Sequence, residues 1–171
     1  MPNDIYNKIT FDAQHSETVF STCCPDGWFD FNTLIPAPLH VYRGSLSKED
    51  REDFPHTWQS WNIENWGTKW NSYQSACRVE NKTAIIVFYT AWSVPYPVIV
   101  AFANKFGIPF EHRYLDQMEN FWGIENWVKY DELQIVARGK KQYNNPEHID
   151  ELIKEEKKYI TRLLYARCNI N

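Results

Sequence analysis

The side chains that most often carry catalysis or bind metals are thinly spread along this chain. No histidine lies three or four residues from another histidine or from a cysteine, so the local ligand pairs of zinc sites are missing. No phosphate-binding glycine loop, serine elbow or His-Glu-x-x-His motif is present. We therefore assign no catalytic residue, no metal ligand and no cofactor. The sequence argues against an enzyme, although an active site assembled from residues that are distant in sequence is not excluded by the lack of local motifs.

His112 is the histidine with the clearest predicted setting. It lies between Glu111 and Arg113 on a predicted strand, where alternation puts the two charged residues on one face and His112 on the other. General acid–base catalysis needs a titratable group held beside a partner, and the local sequence supplies none. We interpret His112 as a structural histidine.

The four cysteines are Cys23, Cys24, Cys77 and Cys168. Their spacing matches neither a zinc site nor a small disulfide framework, which predicts four reduced thiols. The adjacent pair Cys23-Cys24 is a weak candidate for a soft metal, because no further cysteine or histidine is near in sequence.

The densest aromatic stretch runs from Trp61 to Trp70 and contains three tryptophans and one glycine. Tryptophan is common both in binding hot spots and in well-buried positions, so two interpretations stand. The segment either forms a recognition surface or fastens a long insertion to the sheet. Trp66 and Trp70 are one helical turn apart, which favours burial of both. A partial echo, Ile-Glu-Asn-Trp at 63–66 and 124–127, is interpreted as coincidence because its flanks do not match.

Size and composition indicate one folded domain over residues 1–171. The chain is 43% hydrophobic and 16% aromatic, and its net charge is −4. Such a charge argues against a broad electrostatic grip on nucleic acid. No run of about 18 apolar residues and no signal peptide is visible, so we expect a cytoplasmic protein without membrane contact.

The pattern of elements predicts an α+β fold with an antiparallel sheet and helices on one face. The predicted core covers about 3–12 and 73–138, with an insertion at about 21–72 and a C-terminal helix at about 146–167. Residues 4–12 alternate as a strand, and a short helix follows with Ser16 near its N-cap. Residues 73–80 and 83–92 form a hairpin whose second strand is placed centrally. A helix with Pro97 in its first turn ends at Gly107, and a strand and a second hairpin at 127–138 follow. The order approaches the split βαβ arrangement.

Three stretches together carry a family resemblance: Asn65 to Trp70, Thr90 to Pro95, and Pro97 to Ile99. Over about residues 3–127 the chain resembles the YubB ferredoxin-like domain family, which occurs on phages, plasmids and pathogenicity islands. The resemblance implies a ferredoxin-like α+β fold without an iron–sulfur cluster, in a bacterium or phage-infected cell. It supplies no catalytic residues.

From these features we predict a non-enzymatic interaction protein of a mobile genetic element. It would dock on a host or phage protein, with counter-defence as one such role. The expected contact surface comprises Trp58, Trp61 and the loop 25–57, with Trp66 and Trp70 buried beneath it. Glu64 and Lys69 are expected to pair across the turn at Gly67.

The predicted structural core comprises Trp66, Trp70, Phe88, Trp92 and Phe102. Truncating Phe88 or Trp92 to alanine in such a core should cost about 3–5 kcal/mol.

Two other functions stay open. One is a module that binds single-stranded nucleic acid by stacking bases on an open sheet face, with Tyr6, Tyr89 and Trp127 as candidate platforms. The other is an enzyme whose site the sequence does not reveal. Exposure of these aromatic residues would support the first, and a deep polar pocket would support the second.

Overall fold

A computed structural model describes residues 3–44, 47, 57–118, 120–129 and 132–140, with side chains described as far as residue 127. The described part contains six strands and three α-helices, with short 3₁₀ turns at Ala13–His15 and Phe31–Thr33. The strands are β1 Asp4–Asp12, β2 Tyr73–Glu80, β3 Thr83–Ala91, β4 Phe110–Asp116, β5 Phe121–Lys129 and β6 Glu132–Lys140. The helices are α1 Ser16–Cys23, α2 Trp58–Trp66 and α3 Tyr96–Phe106.

The six strands form one sheet in the order β2-β3-β1-β4-β5-β6, and all neighbours are antiparallel. The first four positions are the split βαβ arrangement, because β1 and β2 run in the same direction with β3 between them. The fold is therefore the predicted ferredoxin-like α+β class, extended at the β4 edge by the β5–β6 hairpin. β3 is an interior strand of the sheet, as its apolar sequence predicts, but the two central positions of the six-stranded sheet are occupied by β1 and β4.

The helix boundaries follow local chemistry. α3 has Pro97 in its first turn and ends at Gly107, whose φ of 59° is the left-handed conformation that glycine favours at helix ends. α1 begins at Ser16, but the capping position is His15, which makes no side-chain capping hydrogen bond. Ser16 therefore lies next to the N-cap, as predicted. α1 also runs beyond the predicted short helix, as far as Cys23.

The main core lies between the helices and one face of the sheet. Its large, fully buried side chains come from every layer: Ile9, Ile86 and Phe88 from the sheet, Val19 from α1, and Val98, Ile99 and Phe102 from α3. The rings of Phe29 and Phe88 lie 4.9 Å apart between centroids, so the core is strongly aromatic.

The segment predicted as an insertion at 21–72 is part of this core. Phe29 and Phe31 are fully buried within it, and Trp66 joins them. Asn71 holds the two ends of the segment together, because its side chain donates to Asp30 Oδ1 at 2.6 Å and accepts from the Phe31 N–H at 2.9 Å. The described part of this segment therefore contributes to the hydrophobic core and is not a separate insertion on the surface.

Two of the three tryptophans that were predicted for the core, Trp70 and Trp92, are not fully buried. Trp66, Phe88 and Phe102 are buried, but Trp92 exposes 47% of its surface and Trp70 is only partly buried. α2 ends at Trp66, so Trp70 is no longer one helical turn away on the same face. The C-terminal helix predicted at 146–167 lies outside the described residues. Within the described ranges, no helix has the length and hydrophobicity needed to cross a bilayer.

Candidate binding surface

The two tryptophan-containing motifs of the sequence dock against each other in the fold. Thr68 Oγ1 donates a hydrogen bond to the Ala91 carbonyl at 2.8 Å, and Ser93 Oγ donates to the Gly67 carbonyl. Gly67 has a φ of 74°, and a Cβ placed on it would lie 2.8 Å from Cδ of Pro97. Only glycine satisfies both the backbone conformation and this close approach. The motifs therefore form one structural unit, the motif junction of residues 65–70 and 90–97.

Trp92 is held in an unusual backbone conformation at this junction. Its φ is 69°, which is rare and costly for a bulky residue. The Trp92 N–H is fixed by a 2.8 Å hydrogen bond to the Asn3 carbonyl, while the side chain stays half exposed. Strain of this kind persists where surrounding contacts impose it, and it is concentrated at functional sites. Trp92 is therefore the strongest single candidate for a recognition residue.

Trp92 begins a continuous row of rings that we call the aromatic patch. The patch comprises Lys69, Trp70, Tyr73, Tyr89 and Trp92. The ring centroids of Trp92 and Trp70 are 6.4 Å apart, those of Trp70 and Tyr73 6.2 Å, and those of Tyr73 and Tyr89 6.0 Å. Lys69 Nζ lies 4.8 Å from the Trp92 ring centroid and 5.3 Å from that of Trp70. The ammonium group is thus held over two indoles by cation–π attraction.

A β-bulge in β2 places Tyr73 in the patch. The register between β2 and β3 shifts between Tyr73 and Ala76, and Gln74 takes a φ of 46° there. The two serines that flank Tyr73 and Gln74 bind the backbone of Phe29: the Ser75 hydroxyl accepts from its N–H at 2.8 Å, and Ser72 donates to its carbonyl. Bulges redirect side chains in this way near functional sites.

A carboxylate, that of Asp4, lies beside the two tyrosines of the patch. The Tyr73 hydroxyl donates to Asp4 Oδ1 at 2.6 Å. Burial and the carboxylate of Asp4 raise the pKa of Tyr73, and the same two causes raise the pKa of Tyr89. The patch therefore combines aromatic surface with one ammonium group, and the carboxylate of Asp4 is bound to its Tyr73.

Of the other residues predicted for the contact surface, Trp58, Trp61 and Glu64 lie on α2, and residues 45–46 and 48–56 of the loop 25–57 lie outside the described residues. Trp66 is buried and its Nε1–H donates to the Ile35 carbonyl at 2.9 Å, so it fastens the insertion to the core. Trp61 packs edge-on against Trp66 with centroids 5.4 Å apart, and Trp58 is partly buried. Glu64 is exposed. Of the predicted contact residues, only Lys69 and Tyr89 enter the aromatic patch.

Two of the three aromatic residues expected to stack on bases of single-stranded nucleic acid are buried. Tyr6 exposes 3% of its surface and Trp127 exposes 4%. Trp127 stacks on Phe110 at 5.7 Å in the main core, because its side chain lies on the helix-covered face. The prediction that Tyr6 and Trp127 form stacking platforms is therefore wrong, because both side chains are buried. Of the three candidates, Tyr89 alone is partly exposed.

A second notable arrangement is a buried polar cluster beneath the first turn of α3. His112 and Glu125, paired across β4 and β5, are both fully buried, with His112 Nδ1 3.6 Å from Glu125 Oε2. Tyr96 donates its hydroxyl proton to Glu125 Oε1 at 2.6 Å and lies 3.2 Å from the Tyr114 hydroxyl. His112 Nε2 contacts Asn7 Oδ1 at 3.1 Å.

The hydrogen bonds of Asn7 determine the form of His112. The Asn7 amide nitrogen donates to Thr90 Oγ1 and to the Ile5 carbonyl, so its oxygen accepts from His112 Nε2–H. Burial lowers the pKa of His112, against the opposing effect of Glu125, and the imidazole is neutral near pH 7. Nδ1 is then an acceptor facing Glu125. His112 and Glu125 are buried, whereas Tyr96 is partly exposed, so the cluster links β4 and β5 to the first turn of α3.

Sequence reasoning assigned His112 correctly to the face opposite Glu111 and Arg113 but missed its partners. Glu125 and Tyr96 are distant in sequence and gave no local signal. The repeated tetrapeptide Ile-Glu-Asn-Trp is not a structural repeat, because residues 63–66 are helical and residues 124–127 are part of a strand. Within the described residues, no group of three or more histidine, cysteine and acidic side chains is arranged to hold a metal ion.

Comparison with known proteins gives one finding about family. No curated protein and no solved structure matches the chain. A family model described as the ferredoxin-like domain in Api92-like protein matches residues 65–124. The matched segment runs from the end of α2 into β5 and contains the whole motif junction. Over these residues the chain is similar to the ferredoxin-like domain of Api92-like proteins.

Proposed function

We propose that this protein is a non-enzymatic binding module that docks on a macromolecule through the aromatic patch. The observation that supports the proposal most directly is Trp92, which is half exposed, conformationally strained and flanked by Lys69 and Trp70. Strained backbone conformations of this kind are concentrated at functional sites, and exposed large apolar side chains often mark interaction surfaces. Large aromatic residues of this kind dominate the energetics of protein interfaces.

The biological setting is part of the same proposal. The motifs at 65–70 and 90–95 resemble the YubB family, which suggests a mobile genetic element and a cytoplasmic site of action in a bacterium. The partner is then a host or phage protein, and blunting a defence system is one such role. The match to a ferredoxin-like domain of Api92-like proteins is compatible with this setting.

The test compares two single tryptophan replacements in a tagged full chain used to capture partners from bacterial lysate, with and without nuclease. Trp92→Ala removes the centre of the patch, whereas Trp58→Ala removes a partly buried tryptophan on α2. We expect one specific protein to bind the wild-type chain and the Trp58→Ala variant but not the Trp92→Ala variant. The opposite pattern would move the contact surface to α2.

A folding control makes the loss of binding interpretable. Trp92→Ala should lower the free energy of unfolding by about 1–2 kcal/mol, less than a core truncation, because about half of the side chain is exposed and the contacts with Lys69 and Trp70 are lost. Phe88→Ala, in the aromatic core, should cost about 3–5 kcal/mol in the same urea titration. Recovery of nucleic acid, with loss of all captured protein after nuclease treatment, would instead favour a nucleic-acid-binding module.

A further inference from the structure

Three thiols that are far apart in sequence come together at the end of α1. Cys77 Sγ on the edge strand β2 lies 2.6 Å from Cys24 Sγ, although the two residues are 53 positions apart. Cys23 Sγ lies 3.9 Å from Cys24 Sγ. All three thiols are free in the structure. The sequence predicted unrelated reduced thiols, and it gave no reason to connect Cys77 with the adjacent pair.

The geometry distinguishes one pair among the three. Cys23 is the last residue of α1, and its thiol is engaged with the Val19 carbonyl at 3.0 Å. Cys24 has left the helical conformation, with φ −128° and ψ 50°, and its sulfur meets Cys77 rather than the helix. We propose that Cys24 and Cys77 are a redox-sensitive pair that forms a disulfide when the protein meets a peroxide.

The differing environments of the two sulfurs set the order of the steps. Cys77 is partly exposed, whereas Cys24 is buried with 6% of its surface exposed. Hydrogen bonds with Cys23 and Cys77, together with burial, raise the pKa of the Cys24 thiol, so Cys24 is the poorer initial nucleophile. Cys77 therefore reacts with the oxidant first and Cys24 resolves the product.

The chemistry balances with hydrogen peroxide as the oxidant. The Cys77 thiol first loses its proton, and the resulting thiolate attacks one peroxide oxygen. The O–O bond breaks, a sulfenic acid forms, and the departing hydroxide takes up the proton released by the thiol and leaves as water. Cys24 sulfur then attacks Cys77 sulfur, the S–O bond breaks, and the hydroxyl leaves as a second water with the Cys24 proton. The two thiols are oxidised to one disulfide and the peroxide is reduced to two waters.

The cross-link would close a loop that contains all of α2 and part of the aromatic patch. Lys69, Trp70 and Tyr73 lie inside the closed segment, between the two cysteines. A disulfide across a long loop stabilises the fold chiefly by restricting the unfolded chain. We therefore expect oxidation to fasten the segment carrying the patch to the end of α1.

The test uses the purified full chain, treated with hydrogen peroxide and then denatured and alkylated. The reduced chain has four alkylatable thiols, and the oxidised chain should have two. Trypsin should release residues 9–43 joined to residues 70–78, and a thiol reductant should separate them. The thermal midpoint should rise on oxidation of the wild-type chain and not of a Cys77→Ser variant.

Two control variants keep the assignment specific. Cys168→Ser, outside the described residues, and Cys23→Ser, whose hydroxyl can still donate to the Val19 carbonyl, should both retain the joined peptides. Loss of the linkage in the Cys23→Ser variant would overturn the pairing. So would a disulfide between the adjacent cysteines, one to Cys168, one between two molecules, or retention of all four thiols.

Discussion

Gly67 is the residue on which the motif junction depends most. Its left-handed backbone ends α2, and its missing side chain lets Pro97 of α3 approach. The junction in turn fixes the strained loop that presents Trp92. One glycine thus connects a helix end, a helix–helix contact and the candidate recognition residue.

Replacing Gly67 with alanine should therefore cost more than replacing another left-handed glycine. Gly27 is the matched control, since its φ of 75° is almost the same but a Cβ would meet nothing within 4 Å. We expect Gly27→Ala to lower the free energy of unfolding by about 1 kcal/mol, and Gly67→Ala by about 2–4 kcal/mol because a steric clash adds to the backbone strain. Equal losses in urea titrations would show that Pro97 moves aside without cost.

At the scale of elements, the buried polar cluster joins α3 to three strands. Its members come from β1, β4, β5 and the first turn of α3, so the cluster sets how that helix end lies on the sheet. A buried network of this kind is costly when one member lacks a partner, and it therefore favours one arrangement of the elements.

The lowered pKa of His112 makes a testable contribution to acid sensitivity. The ordinary value is 6.5, and burial places the folded-state pKa below it. Below about pH 6.5 the unfolded chain then binds a proton that the folded chain excludes, so stability falls as the pH falls, by up to about 1.4 kcal/mol per pH unit. The slope belongs to the His112–Glu125 pair rather than to one residue.

The measurement is the free energy of unfolding between pH 7 and pH 5. A His112→Gln variant should show a shallower decline than the wild-type chain, whatever its absolute stability. His40→Gln, which changes an exposed side chain, should leave the decline unchanged. A wild-type slope retained in the His112→Gln variant would assign the acid sensitivity to other groups.

At the scale of the whole molecule, the described sheet and core combine residues that are far apart in the sequence. The family match covers 65–124, yet β1 lies between β3 and β4 in the sheet and comes from the start of the chain. Phe29 and Phe31 also enter the core from outside the matched segment. The matched residues alone therefore lack a central strand and part of the core.

We accordingly expect a fragment of residues 65–124 to remain unfolded. Without β1, neither β3 nor β4 has its partner on that side, and apolar residues that β1 covers become exposed. Circular dichroism of the fragment should show no cooperative thermal transition, while the full chain should show one. A sharp transition in the fragment would mean that β3 and β4 can pair directly.

The sequence by itself determined those elements whose signal is local. Alternation predicted β1, the β-branched run predicted β3 and its hairpin with β2, and Pro97 with Gly107 marked α3. These patterns depend on neighbours within a few residues. Together they predicted an α+β fold close to the split βαβ order, and the family resemblance implied the ferredoxin-like class. The burial of Trp66, Phe88 and Phe102 followed from the same local reasoning.

Only the tertiary structure decided which distant residues meet. Trp92 was predicted to be buried because it ends an apolar strand, but a left-handed backbone turns it outward beside Trp70. The partners of His112 and the approach of Cys77 to Cys24 depend on strand register and on the path of the segment between them. Such contacts are set by global packing, and no local pattern of residues encodes them.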